Sequence, residues 1–141
     1  MTTFTSAEIE FVNSQWLGRI ATVGPDDMPH VVPVAVFYDP EAEALVVGAN
    51  AQFGETVMSS SKKFRDARRR PNVAVVLDDP GPHILEVRGQ AEAHTEGGAE
   101  VGRRLGAPFP FADAWIRIRP RRIISMGLNG SRFESSARDI R

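Results

Sequence analysis

The residues best suited to chemistry lie between Ser59 and Pro71, in the run SSSKKFRDARRRP. It holds the only two lysines of the chain, Lys62 and Lys63, followed by Arg65, Arg68, Arg69 and Arg70. Six cations face one carboxylate, Asp66, a local charge of +5 in a chain whose formal net charge is −1. Ser59, Ser60 and Ser61 are N-cap residue types, so the spacing predicts a short helix that starts at the serines and stops before Pro71. Free backbone N–H groups at a helix start, the helix dipole and two ammonium groups together suit a phosphate. Ser60, Ser61, Lys62, Lys63 and Arg65 are therefore the candidate anion cradle. The competing reading is a solvated basic face, but a solvated face has no need of three capping hydroxyls.

Other chemistries find little support. The chain has no cysteine, which excludes disulfides, thiolate catalysis and zinc–thiolate sites, and His30, His83 and His94 lack metal-type spacing. No nucleophile elbow or P-loop is present, and the carboxylate pairs Asp26/Asp27 and Asp78/Asp79 fall in turns. No apolar run approaches the ~18 residues of a membrane span, and the N-terminus has no apolar leader, so a cytoplasmic protein with no membrane partner is expected. With pI near 6.3 and Phe64 as the only aromatic in the basic run, no nucleic-acid partner is expected.

The 141 residues, 42% of them hydrophobic, are enough for a single domain spanning 1–141. A capping box, Thr5 with Glu8, opens a helix expected from Ser6 to Leu17 and ended by Gly18. Short β-branched runs follow at 19–23, 30–39 and 44–48, separated by turn residues. Pro33 lacks a ladder N–H, so the strand that carries it must be open on one side there. After the basic helix come strands at 72–77 and 84–94, with Gly89 a bulge or barrel corner. A helix at 96–105 capped by Thr95 is expected next, then separate strands at 115–120 and 123–128, then a polar tail draped over a neighbour. The elements add up to a mainly β (α+β) protein, a small antiparallel barrel with peripheral helices.

Four blocks, PHVVPVAVFYDPEAEALVVG, SKKFRDARRRPNVAVVLDD, EVRGQAEA and IRIRPRRIISMGL, occur in an order that resembles the pyridoxamine 5′-phosphate oxidase-like split-barrel family. More narrowly, the sequence is similar to the branch that uses the deazaflavin coenzyme F420. The resemblance implies a six-stranded antiparallel Greek-key split β-barrel, a homodimer, and cofactors bound in grooves between subunits. It implies that Ser61, Lys62 and Lys63 receive the cofactor phosphate and that the backbone of Val32, Pro33 and Val34 lies against the tricyclic ring. The activity implied is hydride transfer from reduced F420 to a small unsaturated substrate, with an FMN flavoprotein or a non-catalytic flavin- or haem-binding module as alternatives. Such chemistry asks little of side chains, and His30 and Tyr38 are the candidates for passing a proton. Arg88, Arg117 and Arg119 are candidates for gripping an acidic cofactor tail, Trp16 and Trp115 for core or interface anchors, and Phe109 and Phe111 for a lid.

Overall fold

The computed structural model describes residues 3–141. Helix α1 (Ser6–Gln15) starts as its capping box dictates: the Thr5 hydroxyl accepts the Glu8 N–H at 3.1 Å and the Glu8 carboxylate accepts the Thr5 N–H at 2.9 Å. It ends at Trp16, which takes a left-handed conformation at φ 43°, and not at Gly18. Gly18 lies instead in β1 (Leu17–Val23), where a Cβ would stand 2.9 Å from the Val76 carbonyl oxygen and 3.0 Å from the Val36 side chain. The glycine serves close strand packing rather than helix termination.

The remaining elements are β2 (Pro29–Asp39), β3 (Ala44–Gly48), α2 (Lys62–Arg69), β4 (Asn72–Asp78), β5 (Ile84–His94), α3 (Gly98–Arg104), β6 (Trp115–Met126) and β7 (Ser135–Asp139). The strands form one antiparallel sheet in the order β3-β2-β1-β4-β5-β6-β7, and β3 also pairs with β6, Leu45–Val47 against Ile116–Ile118. That last pairing closes six strands into a barrel. Period-two alternation turns Ile20, Val36, Val47, Val75, Val87 and Ile118 into it. Each such buried side chain contributes about 1.5–3 kcal/mol. Phe4 and Val12 cover the core from the α1 side, and Phe64, Ala67 and Met58 from the α2 side.

Three expectations are corrected. Helix α3 begins at Gly98, after Gly97 at φ 89°, and Thr95 is not its cap. The Trp115 indole donates to the Glu96 carbonyl at 2.9 Å, and the Gly98 N–H to the Asp113 carbonyl at 2.9 Å, which holds residues 95–97 outside the helix. The segments at 115–120 and 123–128 are one strand, because Pro120 sits opposite Gly89 where the β5–β6 register shifts and a ladder donor is dispensable. The tail contains β7, which pairs with Arg122–Met126 of β6. It is anchored by Arg138, whose guanidinium donates to both oxygens of the buried Glu8 carboxylate at 2.9 and 2.7 Å.

Candidate functional site

The start of α2 is built by its serines. Ser61 is the N-cap, and its hydroxyl accepts the Phe64 N–H at 3.3 Å while donating to the Met58 carbonyl at 2.6 Å. The Ser60 hydroxyl donates to the Thr56 carbonyl at 2.6 Å. Both hydroxyl protons assigned to a phosphate by the sequence are thus directed at backbone carbonyls. The N–H groups of Lys62 and Lys63 have no hydrogen-bond partner among the described residues, as expected of the first turn of a helix. They are the donors that remain.

The two lysines have different surroundings. Lys63 is half-buried and has no carboxylate partner among the described residues; burial pushes its ammonium below the ordinary lysine value. Lys62 has its ammonium 3.2 Å from Asp66 Oδ1, whose carboxylate is buried and also accepts the Thr22 hydroxyl at 2.9 Å. Burial pushes the Asp66 carboxyl up, but the hydrogen bonds from Thr22 and Lys62 and the charges of Lys62 and His30 outweigh it and hold the group below the usual carboxylate range. Arg65 donates Nε to the Ser61 carbonyl at 3.4 Å and is otherwise exposed. The sequence marks Asp66 only as the one acid in the basic run, and neither Asp66, Thr22 nor Gly24 is a site candidate there. Only the Lys62/Asp66 spacing, one helical turn, carried a signal.

Beside the cradle runs β2. Thr22 pairs with His30 and Ile20 with Val32 across β1, so His30 and Thr22 share the face that meets α2. The Val36 N–H bonds to the Trp16 carbonyl and the Gly24 N–H to the Met28 carbonyl. Antiparallel alternation therefore turns the backbone groups of Val34, Val32 and His30 toward β1, and those of Pro29, Val31 and Pro33 away from it. β3 pairs only with Ala35–Asp39. Residues 29–34 consequently present an open edge, and two of its three outward amides belong to prolines that have no N–H. The Val34 side chain is in the core, Val32 packs partly against it, and Pro33 is exposed, so the open part of this strand is its backbone. Tyr38 lies eight residues along β2 from His30, roughly 26 Å at strand rise. It packs edge-on against Phe4 and is not brought to the cradle.

Other candidates have found different partners. Arg117 and Arg119 both bind Glu92, and Arg88 binds Glu86. Trp115 is buried, stacked on His94 with centroids 4.4 Å apart, whereas Trp16 is 47% exposed and is no core residue. Phe111 is buried in a small second core with Val46, Val101 and Trp115, and Phe109 packs against it, so this pair forms no free lid. The outer face of β1, β2 and β4 carries an uncovered apolar patch: Leu17 is 54% exposed and Val31 65%, and Ala21, Val23, Pro29 and Ala74 line a shallow groove, with Arg19, Glu86, Arg88 and Arg121 around it. No helix among the described residues is long and apolar enough to cross a membrane. None of the described histidines and carboxylates cluster in threes as a metal site would need.

A closed six-stranded barrel with two unbonded N–H groups and a half-buried lysine at a helix start, and an open strand edge, invites comparison with known proteins. The sequence model of the Pyridoxamine 5′-phosphate oxidase family matches residues 4–128. The chain belongs to that family. It is 36% identical over 144 residues to the 5a,11a-dehydrotetracycline/5a,11a-dehydrooxytetracycline reductase of Streptomyces rimosus, with 97% of this chain and 93% of that protein covered. Among solved structures it is similar to the conserved hypothetical protein Rv2991 of Mycobacterium tuberculosis, at a TM-score of 0.62 and 26% identity, covering 88% of this chain and 85% of the other. It also shares its fold with a pyridoxamine 5′-phosphate oxidase-related, FMN-binding protein of Nostoc punctiforme, at a TM-score of 0.65 and 10% identity, covering 100% of this chain and 98% of the other.

Proposed function

We propose that this protein is an oxidoreductase that uses reduced coenzyme F420 to reduce a small unsaturated organic substrate. The observation that carries this reading is the first turn of α2, where Lys63 is half-buried with no carboxylate partner among the described residues and the Lys62 and Lys63 N–H groups are unbonded, on a helix that packs against β1 and β2, the strand with the open edge. These groups fit the phosphate of a flavin-type cofactor. Lys63 and the Lys62 and Lys63 amides would hold the phosphate, and the backbone of Val31 to Pro33 would lie against the ring. When bound, the reduced cofactor supplies a hydride; the protein grips, orients and excludes water. The substrate must also gain a proton, which His30, on the α2 side of the same strand, or solvent at the open edge would supply. The 36% identical reductase from Streptomyces rimosus favours reduction as the direction.

The second reading is an FMN enzyme of the same fold, favoured by the FMN-binding neighbour from Nostoc punctiforme. In either case we propose a homodimer, since the uncovered apolar face around Val31 and Leu17 calls for a symmetric partner that would also wall the groove. Mixing the protein with reduced F420 and a panel of enones, quinones and tetrapyrroles, while following cofactor reoxidation, tests the proposal. Acceleration by at least one acceptor is expected. No acceleration, with FMN retained far more tightly than F420 in equilibrium dialysis, transfers the assignment to FMN.

A further inference from the structure

The two lysines of the cradle do not share one task, although the sequence sets them side by side. The Asp66 carboxylate is 2% exposed and has both oxygens engaged, Oδ2 by the Thr22 hydroxyl and Oδ1 by the Lys62 ammonium. The Lys62 ammonium also occupies the space over Gly24 in the β1–β2 turn: a Cβ at Gly24 would stand 2.6 Å from Nζ and 3.7 Å from Asp66 Oδ1. Glycine at this position thus leaves room for the ammonium to reach the carboxylate. His30, opposite Thr22 in the strand register, faces the same carboxylate. Lys63, one residue on, has no such partner among the described residues.

We infer that Lys62 is a positioning residue, the counter-charge of the buried Asp66 carboxylate in a lock completed by Thr22 and Gly24, and that Lys63 alone of the two lysines contacts the anion. The reason is electrostatic. A buried carboxylate near the start of α2 repels any anion brought there, and removing one partner of a buried pair leaves the other uncompensated. Lys62 cancels that repulsion and ties the helix start to the β1–β2 turn beside the open edge. The inference rests on the cofactor reading above as to which anion the cradle takes, but the ion pair itself does not.

The two roles predict different genetics. If Lys62 grips the phosphate, its loss cannot be repaired at Asp66; if it neutralises Asp66, it can. Lys62→Met, Asp66→Asn, the double variant and Lys63→Ala are compared in two measurements. One is thermal unfolding of the cofactor-free protein. The other is the ratio of riboflavin to FMN dissociation constants, which isolates the phosphate because the two probes share the ring. A merely structural defect weakens both probes alike and leaves the ratio unmoved. Lys62→Met is expected to lower the unfolding temperature and to reduce the ratio about tenfold, and the double variant to restore both, the ratio to within about threefold of wild type. Asp66→Asn alone is expected to keep the ratio, and Lys63→Ala to lose it whatever stands at 66. A double variant with a ratio no better than that of Lys62→Met, or an Asp66→Asn variant as poor as Lys63→Ala, overturns the inference. Should Lys62→Met not fold, Lys62→Gln, which keeps a donor for Asp66, takes its place with the same rescue expected. If wild type binds riboflavin and FMN equally, the phosphate cradle is wrong, and the rescue of unfolding temperature still decides whether Lys62 and Asp66 form the stabilising pair.

Discussion

Lys63→Ala tests the cradle most directly. The side chain is half-buried, its ammonium has no carboxylate to answer it among the described residues, and burial lowers its proton affinity. In the free protein the residue is therefore a cost. A lysine whose folded-state pKa lies below its unfolded value of 10.5 destabilises the folded state; the penalty is full below the depressed folded-state value, fades as pH rises from there, and is gone once pH passes the unfolded value. Replacing it with alanine should leave the unfolding temperature of the apo protein at neutral pH unchanged or slightly raised. Binding has the opposite sign. A hydrogen bond to a charged group contributes about 1.5–3 kcal/mol, so the loss in affinity for a phosphate-bearing cofactor should be roughly ten- to 150-fold, with the two N–H groups retaining the remainder. Binding restores the ammonium's partner and raises its pKa, so affinity in wild type should fall as pH rises through the depressed lysine value, and this slope should vanish in the variant. Titration of F420 and FMN into both proteins at several alkaline pH values measures all of this. An unchanged dissociation constant, or a pH slope that survives the substitution, places the anion elsewhere and refutes the reasoning.

Two further outcomes follow from the same structure. Burial pushes the Glu8 carboxyl up, but Arg138, the Thr5 N–H and Asn129 outweigh it and hold it below the ordinary value, so its contribution to stability is present above the unfolded pKa and lost as pH falls through the folded one. Arg138→Met should cost about 3 kcal/mol at neutral pH, the lower end for a broken buried pair, or about 10 °C in unfolding temperature. The gap should narrow as the medium is acidified below pH ~4; a gap independent of pH counts against the ion pair. Val31→Glu puts a charge into the apolar face at 65% exposure, so it should leave the monomer folded but shift the proposed dimer toward monomer in sedimentation. A variant that sediments as wild type excludes that face as the interface.

How much of this was legible in the sequence depended on whether the signal was local. The capping box at Thr5, the stop at Pro71, the strand Ala44–Gly48 and the bulge at Gly89 rest on single residues with one physical role, and each stands as the sequence reads it. Gly18 and Pro120 misled because each has two roles: the glycine relieves a contact with Val36 and Val76, and the proline faces a bulge. Both depend on strands distant in sequence. β7 was invisible since SSARD has no apolar alternation; it is held by the backbone of β6 and by Arg138 reaching Glu8, 130 residues away. At the site, the basic run and the open strand were readable from composition. The one-turn spacing of Lys62 and Asp66 hints that the two lysines differ, but the burial that makes their pair matter is not legible, because it is made with Thr22 and Gly24, which belong to another strand and its turn.

The proline pair on β2 has one more consequence. An unpaired strand edge of six residues is ordinarily a template on which a foreign extended chain, or a second unfolded copy, adds by hydrogen bonding. Here Pro29 and Pro33 leave Val31 as the only outward donor on that edge, so an incoming strand would find one partner for its carbonyls where a regular edge offers three. An edge so poor in donors can stay unpaired by backbone without inviting strand addition. A flat ring, which needs surface more than donors, would lose nothing by the missing amides, whereas an added strand would.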